Sequence, residues 1–243
     1  MTQAVVSATE VINKSPEVEH LLTFQEYLEY EGEPDVLYEL VRGKIVPMGA
    51  TTLKHAKICE FLVYKLQRYF ADQNLSMVAK TTVGVRTDDN TSRIPDAIVC
   101  HQSLWEQISE RPGAGVLDFD EKPLLVVEVV SSNRRDDYVI KRYEYEMAEI
   151  AEYWLVDPKK KRVLVFANPG KKGGYTRTDF SEDTFIVSHQ FSQLFLSVKK
   201  LLAPPLVEEL IKKEQTRIFT LEQRADKLAQ RLREMGVNPD DID

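Results

Sequence analysis

Residues 124–141 read LLVVEVVSSNRRDDYVIK, and this stretch decides the fold. Its first seven residues form a nearly unbroken run of leucine and valine, which predicts a strand covered on both faces at the centre of a sheet. Residues 131–133, Ser-Ser-Asn, then offer helix N-cap side chains, and Asp136 and Asp137 suit the first turn of a helix. The stretch therefore predicts a strand, a short turn and a helix.

Glu128 interrupts the apolar run of this predicted strand. An ionised carboxylate buried there would cost several kcal/mol unless a cation or a network of hydrogen bonds compensates. The position therefore predicts a functional site, and the alternative is a purely structural buried ion pair.

The composition describes an acidic chain with a sizeable core. The chain has 243 residues, 43% of them hydrophobic, and a formal net charge of −7. This length predicts one large domain, or one domain with an appendage. The charge argues against a broad, nonspecific nucleic-acid binder but leaves room for a local basic groove.

The sequence lacks the patterns of membrane insertion, secretion and zinc binding. No stretch approaches the roughly 20 apolar residues of a membrane span, and residues 1–14 lack the layout of a signal peptide, so we expect a cytoplasmic protein. Cys59 and Cys100 lie within apolar patterns without CxxC spacing. We expect reduced core thiols there, and little support for a zinc site.

The pattern along the rest of the chain contains more strands than helices. Residues 1–20 are predicted to be flexible, 21–203 to form the main domain, and 204–243 to form a separate helical segment with a polar tail. Apolar residues at helical spacing predict helices at 23–31, 51–73, 104–108 and 134–147. Alternating patterns predict strands at 38–41, 44–48, 76–87 (single or paired), 93–100, 152–156, 162–167, 175–180 and 184–187.

The C-terminal segment has the heptad pattern of a short coiled coil. The a positions are Ile211, Ile218, Ala225 and Leu232, and the d positions are Val207, Leu221, Leu228 and Met235, with one polar exception at Glu214. The pattern favours pairing between two chains. An amphipathic helix folded back on its own domain, which uses a similar stripe, is the alternative.

Two carboxylates at strand positions, Asp96 and Glu128, are followed by Lys141 on the predicted helix. If the two strands are neighbours, both carboxylates can converge on one divalent cation, and Mg²⁺, with Mn²⁺ as a substitute, suits such oxygen ligands. Lys141 can reach back toward Glu128, because helical side chains lean toward the N-terminus. Its ammonium group would orient or help to deprotonate an attacking water, or stabilise developing charge on a phosphate.

The same residues carry a resemblance to a known family. Pro95-Asp96, the run VEVVS at 127–131, Lys141 with Tyr145, and EYWLVDP at 152–158 occur in an order and spacing that resembles the Uma-two family of restriction endonucleases. That family belongs to the PD-(D/E)xK nuclease superfamily, and the resemblance covers residues 23–195. It implies an α/β (α+β) fold with a mixed β-sheet flanked by helices, dependence on magnesium, and hydrolysis of DNA.

The resemblance also implies roles for individual residues. Asp96 and Glu128 would be metal ligands, with the Val129 carbonyl as a third oxygen. Glu39 would provide a further acidic contact, and His55 lies where related sequences also place a histidine. The wider superfamily usually places its lysine two residues after the acidic residue, where this chain has valine, and the nearer family moves the lysine to the helix. The resemblance therefore implies a catalytic role for Lys141.

Each of these residues has a structural alternative. Asp96 would instead bond local backbone, Lys141 would be a solvated helix lysine, and Glu39 an exposed strand carboxylate. His55 is more typical of a packing or helix-start histidine. The basic residues at 159–162 and 171–172 are more typical of a solvated hairpin tip.

The sequence predicts a magnesium-dependent endodeoxyribonuclease that acts on DNA as a homodimer. The first alternative is a catalytically weak nucleic-acid-binding or scaffold protein that retains the fold. The second is a metal-dependent hydrolase acting on another phosphate ester. The intact set of Asp96, Glu128 and Lys141 favours the enzyme.

Overall fold

The structure is a computed structural model that describes residues 20–131, 133–170 and 174–239. The predictions made for residues 1–19, for Ser132 and for Lys171 and Lys172 lie outside the described residues. The helices are α1 (Phe24–Leu28), α2 (Leu53–Asp72), α3 (Gln102–Ser109), α4 (Lys141–Met147), α5 (Val198–Leu202) and α6 (Val207–Glu234), and a π-helical turn (Asp136–Ile140) directly precedes α4.

The strands are interspersed among these helices in the described residues. They are β1 (Tyr38–Val41), β2 (Lys44–Pro47), β3 (Met77–Lys80), β4 (Gly84–Asp88), β5 (Thr91–Arg93), β6 (Ala97–His101), β7 (Val116–Leu117), β8 (Leu125–Val129), β9 (Glu152–Asp157), β10 (Arg162–Gly170), β11 (Gly174–Ser181), β12 (Phe185–Ile186) and β13 (Leu196–Ser197). The fold class is therefore mixed α and β, as the sequence predicts.

Within the described ranges the strands form two large sheets and a small third one. The orders are β2-β1-β5-β4-β7 for the first, β11-β10-β9-β8-β6-β3 for the second, and β12-β13 for the third. The second sheet is mixed, since β8 runs parallel to β9 and antiparallel to β6. Helices flank it, which confirms the predicted architecture.

Strand β8 lies at the centre of the second sheet, as its apolar sequence predicts. All five of its residues are buried. Val127 and Val129 pack in one core cluster with Ile58 and Leu62 of α2, whereas Val126 packs on the opposite face with Tyr145 of α4. Helices therefore cover both faces of the strand.

The predicted strand at 93–100 is wrong in one respect that matters for the site. The chain forms β5 in the first sheet and β6 in the second, and residues 94–96 connect the two. Pro95 has no N–H to donate to a ladder, so the strand pairing breaks there. Asp96 consequently lies where the chain passes from one sheet to the other. The pattern at 76–87 divides in the same way, into β3 and β4.

The predicted hairpin at 38–48 is confirmed by β1 and β2. Arg42 and Gly43 form its turn, with φ values of 53° and 81°. Two successive positive φ values are typical of the tight turns that match the twist of a hairpin. The hairpin joins the first sheet through Leu40, which pairs with Ser92 of β5, and it thereby carries Glu39 to the junction of the two sheets.

Helix α6 differs between its first two turns and the remainder. Val207 is buried in the main core, so its assignment to the coiled-coil seam is wrong. Glu214, the polar exception in the heptad pattern, accepts a hydrogen bond from Tyr64 of α2 at 2.9 Å and lies 3.4 Å from Arg68. Residues 215–228 are all exposed. The division of the chain at residue 204 stays a prediction, as does pairing.

None of the helices in the described part of the chain is long and apolar enough to cross a membrane.

Candidate active site

A cleft of about 170 Å³ lies at the junction of the two large sheets. The hairpin β1–β2, the start of α2, the connection before β6, the end of β8 and the π-helical turn all contribute to its walls. The residues that the sequence singles out, Glu39, His55, Asp96, Glu128, Val129 and Lys141, all line it.

Asp96 and Glu128 lie next to each other across a strand pair. Ala97 of β6 is opposite Val127 of β8, so the preceding residue on one strand faces the following residue on the other. The Asp96 Oδ2 atom accepts a hydrogen bond of 2.6 Å from the Val129 N–H. The condition that the sequence leaves open, that the two strands are neighbours, is therefore met.

Glu128 is buried, with only 4% of its surface exposed. Its Oε1 atom accepts hydrogen bonds from Lys141 Nζ at 2.9 Å and from the Tyr145 hydroxyl at 2.8 Å. Its Oε2 atom accepts no hydrogen bond from the residues that the structure describes. Burial raises the pKa of Glu128 to about 8, against the opposing effect of Lys141 and with a further contribution from Asp96.

Lys141 is a buried cation rather than a solvated helix lysine. Besides Glu128, its Nζ atom lies 3.2 Å from Glu39 Oε1. Burial alone would lower the pKa of Lys141, but the two carboxylates outweigh that effect and raise it above its ordinary value. The amine is therefore protonated at neutral pH.

Glu39 is also buried and links Lys141 to an arginine that the sequence analysis missed. Its Oε2 atom accepts a hydrogen bond of 2.9 Å from Arg93, and its Oε1 atom accepts one of 3.0 Å from the Ile94 N–H. Burial alone would raise the pKa of Glu39, but Lys141 and Arg93 together lower it. The alternative of an exposed strand carboxylate is wrong for this residue.

Arg93 completes a buried chain of alternating charges. Its Nε and Nη2 atoms donate to the two carboxylate oxygens of Glu144, at 2.6 and 3.0 Å, while its Nη1 atom donates to Glu39. The sequence did offer a signal for it, because an arginine three residues before Asp96, in a segment predicted to be a strand, needs acidic partners. Those partners come from β1 and α4, and no local pattern identifies them.

The π-helical turn gives the second deviation from prediction. The sequence predicts one helix over 134–147, whereas the structure has five π-helical residues before α4 begins at Lys141. Such a turn holds an extra residue and therefore rotates everything after it around the helix axis. After this rotation Lys141 and Tyr145, one turn apart, both reach the same oxygen of Glu128.

His55 lies in the first turn of α2, where the Thr52 side chain caps its N–H. Its Nε2 atom is 2.7 Å from Asp96 Oδ1, so the histidine contacts the site directly. Cys59 follows one turn later, and burial together with the nearby carboxylates raises the pKa of its thiol. The potential ligand atoms of His55, Cys59 and Asp96 all lie within 4.8 Å of one another.

Comparisons with known proteins identify a family and a similar fold. The model of the Uma2 family, described as "Putative restriction endonuclease", matches residues 24–199. A solved structure, described as a "putative nuclease belonging to DUF820" from Anabaena variabilis, matches with a TM-score of 0.57 and 22% sequence identity, over 75% of this chain and 98% of that one. At that identity the match shows the fold. No curated protein matches the chain.

Proposed function

The chain belongs to the Uma2 family, and from this premise we propose that it is a metal-dependent endonuclease that hydrolyses phosphodiester bonds of DNA. The observation that carries the proposal is the state of Glu128. This buried carboxylate has one oxygen held by Lys141 and Tyr145 and a second oxygen without a described partner, beside Asp96. An acceptor left open in a buried site is available to a cation.

The side chains around the cleft fit a hard divalent cation. Asp96, Glu128, Asp136 and Asp137 line it together with Lys141, so carboxylates are in excess over ammonium groups. Carboxylate oxygens are the ligands that Mg²⁺ and Mn²⁺ prefer. Asp96 and Glu128 would hold the ion, and the Val129 carbonyl is our candidate for a third oxygen.

When bound, the cation supplies positive charge to a scissile phosphate. Lys141 acts beside it as a fixed hydrogen-bond donor. Glu128 and Glu39 raise the pKa of Lys141 and so favour its ammonium form, whose role is to stabilise negative charge on the phosphate or to orient the attacking water. Proton abstraction, the other role inferred from the sequence, requires the neutral amine and is therefore disfavoured.

Tyr145, Glu39 and Arg93 position the reacting groups. Tyr145 fixes Glu128 by donating its hydroxyl hydrogen, and Glu39 holds the Lys141 ammonium group from the other side. Arg93 in turn anchors Glu39 to Glu144 of α4. The network therefore ties the hairpin, β8 and α4 together, so that the donor and acceptors keep their places before a substrate arrives.

Cleavage of plasmid DNA tests the activity. The wild type is expected to nick or linearise plasmid with Mg²⁺ or Mn²⁺ and to be inactive with chelator, and Glu128→Ala is expected to be inactive throughout. Parallel incubation with RNA tests the proposed preference for DNA. A folded, metal-binding wild type that cuts neither polymer would favour the scaffold alternative.

Thermal unfolding tests the metal site without requiring turnover. An ion that binds the folded chain raises the melting temperature by mass action. We expect Mg²⁺ or Mn²⁺ to raise the melting temperature of the wild type, and the rise to vanish in Asp96→Ala. Equal rises in the two proteins would remove Asp96 from the metal site.

We also propose that the protein is a parallel homodimer paired through α6. Ile218, Leu221 and Leu228 are each more than half exposed, at 55%, 54% and 51%, and all lie at a or d positions. The g positions from residue 217 to 231 are all arginine. Two antiparallel helices would bring these arginines together, whereas parallel helices place Arg217 opposite the e-position Glu222 of the other chain.

A further inference from the structure

His55, Cys59 and Asp96 form a second group of metal-ligating side chains beside the proposed magnesium site. His55 and Cys59 are four residues apart in α2 and therefore share one face of that helix, and Asp96 faces them from the start of β6. All three are partly buried, and their ligand atoms lie within 4.8 Å of one another.

This group offers different chemistry from the carboxylates of the cleft. An imidazole nitrogen, a sulfur and one carboxylate oxygen suit zinc and related transition metals, whereas Mg²⁺ prefers oxygen ligands alone. Cys59 has no part in the proposed cleavage reaction. Its placement one turn after His55 is thus not explained by the nuclease chemistry.

The surroundings leave space for a fourth ligand. The same three residues line a larger cavity of about 910 Å³ that extends along α2 from the cleft. Three protein ligands with an open fourth position form a common arrangement for zinc that is accessible to solvent. His55 and Asp96 line both the cavity and the cleft, so an ion held there would lie where the two meet.

We infer that His55, Cys59 and Asp96 bind a transition-metal dication of the zinc class, and that this ion competes with Mg²⁺ for Asp96. On binding, the Cys59 thiol releases its proton to solvent, and His55 ligates through Nε2 while its own proton resides on Nδ1. The ion replaces the hydrogen bond that now joins His55 to Asp96. The binding is independent of the proposed function, whereas its consequence, inhibition of cleavage by zinc, rests on it.

Cobalt(II) titration tests the binding directly. A thiolate bound to cobalt gives an intense charge-transfer absorption in the near ultraviolet, which imidazole and carboxylate ligands do not give. We expect this band, at one ion per chain, in the wild type and in Cys100→Ala, which removes the other cysteine, and we expect it to be absent in Cys59→Ala. Zinc is expected to displace the cobalt and remove the band.

Competition against a chromophoric chelator measures the affinity for zinc. We expect Cys59→Ala and His55→Ala each to weaken zinc binding by at least about tenfold, since each removes a nitrogen or sulfur ligand. Circular dichroism establishes that each variant is folded, and two variants keep the test valid if one does not fold. A wild type without the thiolate band, or a band that persists in Cys59→Ala, would overturn the inference.

Cleavage assays separate this inference from the nuclease proposal. Where Mg²⁺-dependent cleavage is observed, we expect low concentrations of zinc to inhibit the wild type and Cys100→Ala, and to inhibit Cys59→Ala only at concentrations at least about tenfold higher. Equal inhibition of all three proteins would overturn the competition for Asp96. Absence of cleavage would contradict the nuclease proposal while leaving the cobalt result to decide the site.

Discussion

Glu128 and Glu152 are buried glutamates on neighbouring strands, yet their surroundings differ in kind. Glu128 lies in β8 and is 4% exposed, and Glu152 lies in β9 and is fully buried. In the register of the parallel pair, Glu128 is opposite Leu155. Glu152 is three residues from that position, so the alternation of side chains points it to the other face of the sheet.

Neutral donors satisfy Glu152 completely. Its Oε1 atom accepts a hydrogen bond of 2.6 Å from the Trp154 indole, and its Oε2 atom accepts bonds from the Ser188 hydroxyl at 3.0 Å and the Gln190 N–H at 2.8 Å. Glu128 instead has cationic and phenolic partners on one oxygen, and no described partner on the other.

The comparison shows that burial alone does not mark a functional acid. Both carboxylates are costly to bury, and both costs must be offset. Hydrogen bonds from the protein offset the whole cost of burying Glu152, so the role of Glu152 is to hold β9 to the segment around Ser188. The cost of burying Glu128 is offset only in part, and its remaining acceptor, Oε2, belongs to a residue that lines the cleft. A buried acid with an acceptor to spare is the better candidate for a metal ligand.

Glu128→Gln gives the largest effect expected. The amide cannot supply a negative charge to a cation, so we expect cleavage of plasmid DNA to fall by about a thousandfold, equivalent to about 4 kcal/mol of transition-state stabilisation. Burial already favours the protonated form of Glu128, which glutamine resembles in shape, so stability without metal should change little. Initial rates and thermal unfolding measure the two effects. Glu128→Gln activity within tenfold of wild type would contradict the assignment.

Lys141→Ala is expected to lose cleavage while keeping metal binding. The ammonium group acts on charge and water and is not a metal ligand, so we expect activity to fall by about a hundredfold or more while Mg²⁺ still raises the melting temperature. Lys141→Arg should rescue poorly, because the planar, longer guanidinium must fit the buried space between Glu128 and Glu39.

Lys122→Ala is a matched control for that experiment, since Lys122 also pairs with a glutamate but at an exposed position. It should cleave as the wild type does. Full activity in Lys141→Ala would refute the role assigned to the helix lysine, and loss of metal stabilisation would mean that the lysine mainly maintains the site.

Glu152→Gln should have the opposite effects to Glu128→Gln: it should lower stability and leave cleavage nearly unchanged. The amide nitrogen would meet donors where the carboxylate accepted hydrogen bonds, which leaves a buried N–H without a partner and costs about 1–3 kcal/mol of unfolding free energy. Cleavage below the lowered melting temperature should remain within a few-fold of wild type. Urea unfolding measures the loss. Strong inactivation without destabilisation would mean that the contrast between the two glutamates is wrong.

The raised pKa of Glu128 makes metal binding dependent on pH. In the metal-free chain the folded state retains a proton that the unfolded state loses near 4.5, so the stability from this group is complete below 4.5 and disappears as the pH rises through about 8. A divalent cation replaces that proton, and its affinity should therefore increase with pH up to about 8.

We expect the rise in melting temperature at a fixed, subsaturating Mg²⁺ concentration to be several-fold larger near pH 8.5 than near pH 6, within the window over which Glu128 loses its proton. Glu128→Gln should show a smaller rise without this pH dependence. A pH dependence that survives in the variant would belong to another group.

The sequence predicts the elements that depend on local pattern and misses the long-range partners. The central strand, the hairpin and α2 follow from apolar periodicity and turn residues. The sequence nominates Asp96 and Glu128 but leaves open whether their strands are neighbours, which the pairing of β6 with β8 establishes. Arg93 was missed because its partners, Glu39 and Glu144, lie 54 and 51 residues away. No periodicity connects positions at that distance.

The π-helical turn was missed for a related reason. Its residues read DDYVI, which continues the helical pattern without a proline, glycine or other break. The turn also makes a contact that no local pattern reveals, a hydrogen bond of 3.1 Å from the Tyr153 hydroxyl on β9 to the Asp137 carbonyl oxygen. Local propensity therefore predicts that this segment is helical. It does not predict the rotation about the helix axis that the π-helical turn introduces, and the direction of the Lys141 side chain depends on that rotation.

Among the described residues, helix α6 has apolar side chains without partners in its own chain, as Glu128 has an oxygen without one. Changes there are expected to have the smallest effect on the chemistry. Leu221 and Phe219 are comparably exposed, at 54% and 62%, but Leu221 occupies a d position and Phe219 lies outside the seam. In a monomer, aspartate at either position would be tolerated. In a paired coil, Leu221→Asp together with Leu228→Asp would bury unpaired charge and dissociate the dimer, whereas Phe219→Asp would not.

Light scattering on the full chain measures the mass of each variant, and the plasmid assay follows how each one cuts. We expect a dimer for the wild type and Phe219→Asp, and a monomer for the double variant. Because one site cuts one strand, the monomer should retain nicking but produce fewer double-strand breaks. The domain should remain folded, since residues 215–228 of α6 are exposed and only its first turns pack on α2. A dimer that survives in the double variant would mean that any pairing uses the nuclease domain, and a monomeric wild type would remove the seam from the proposal.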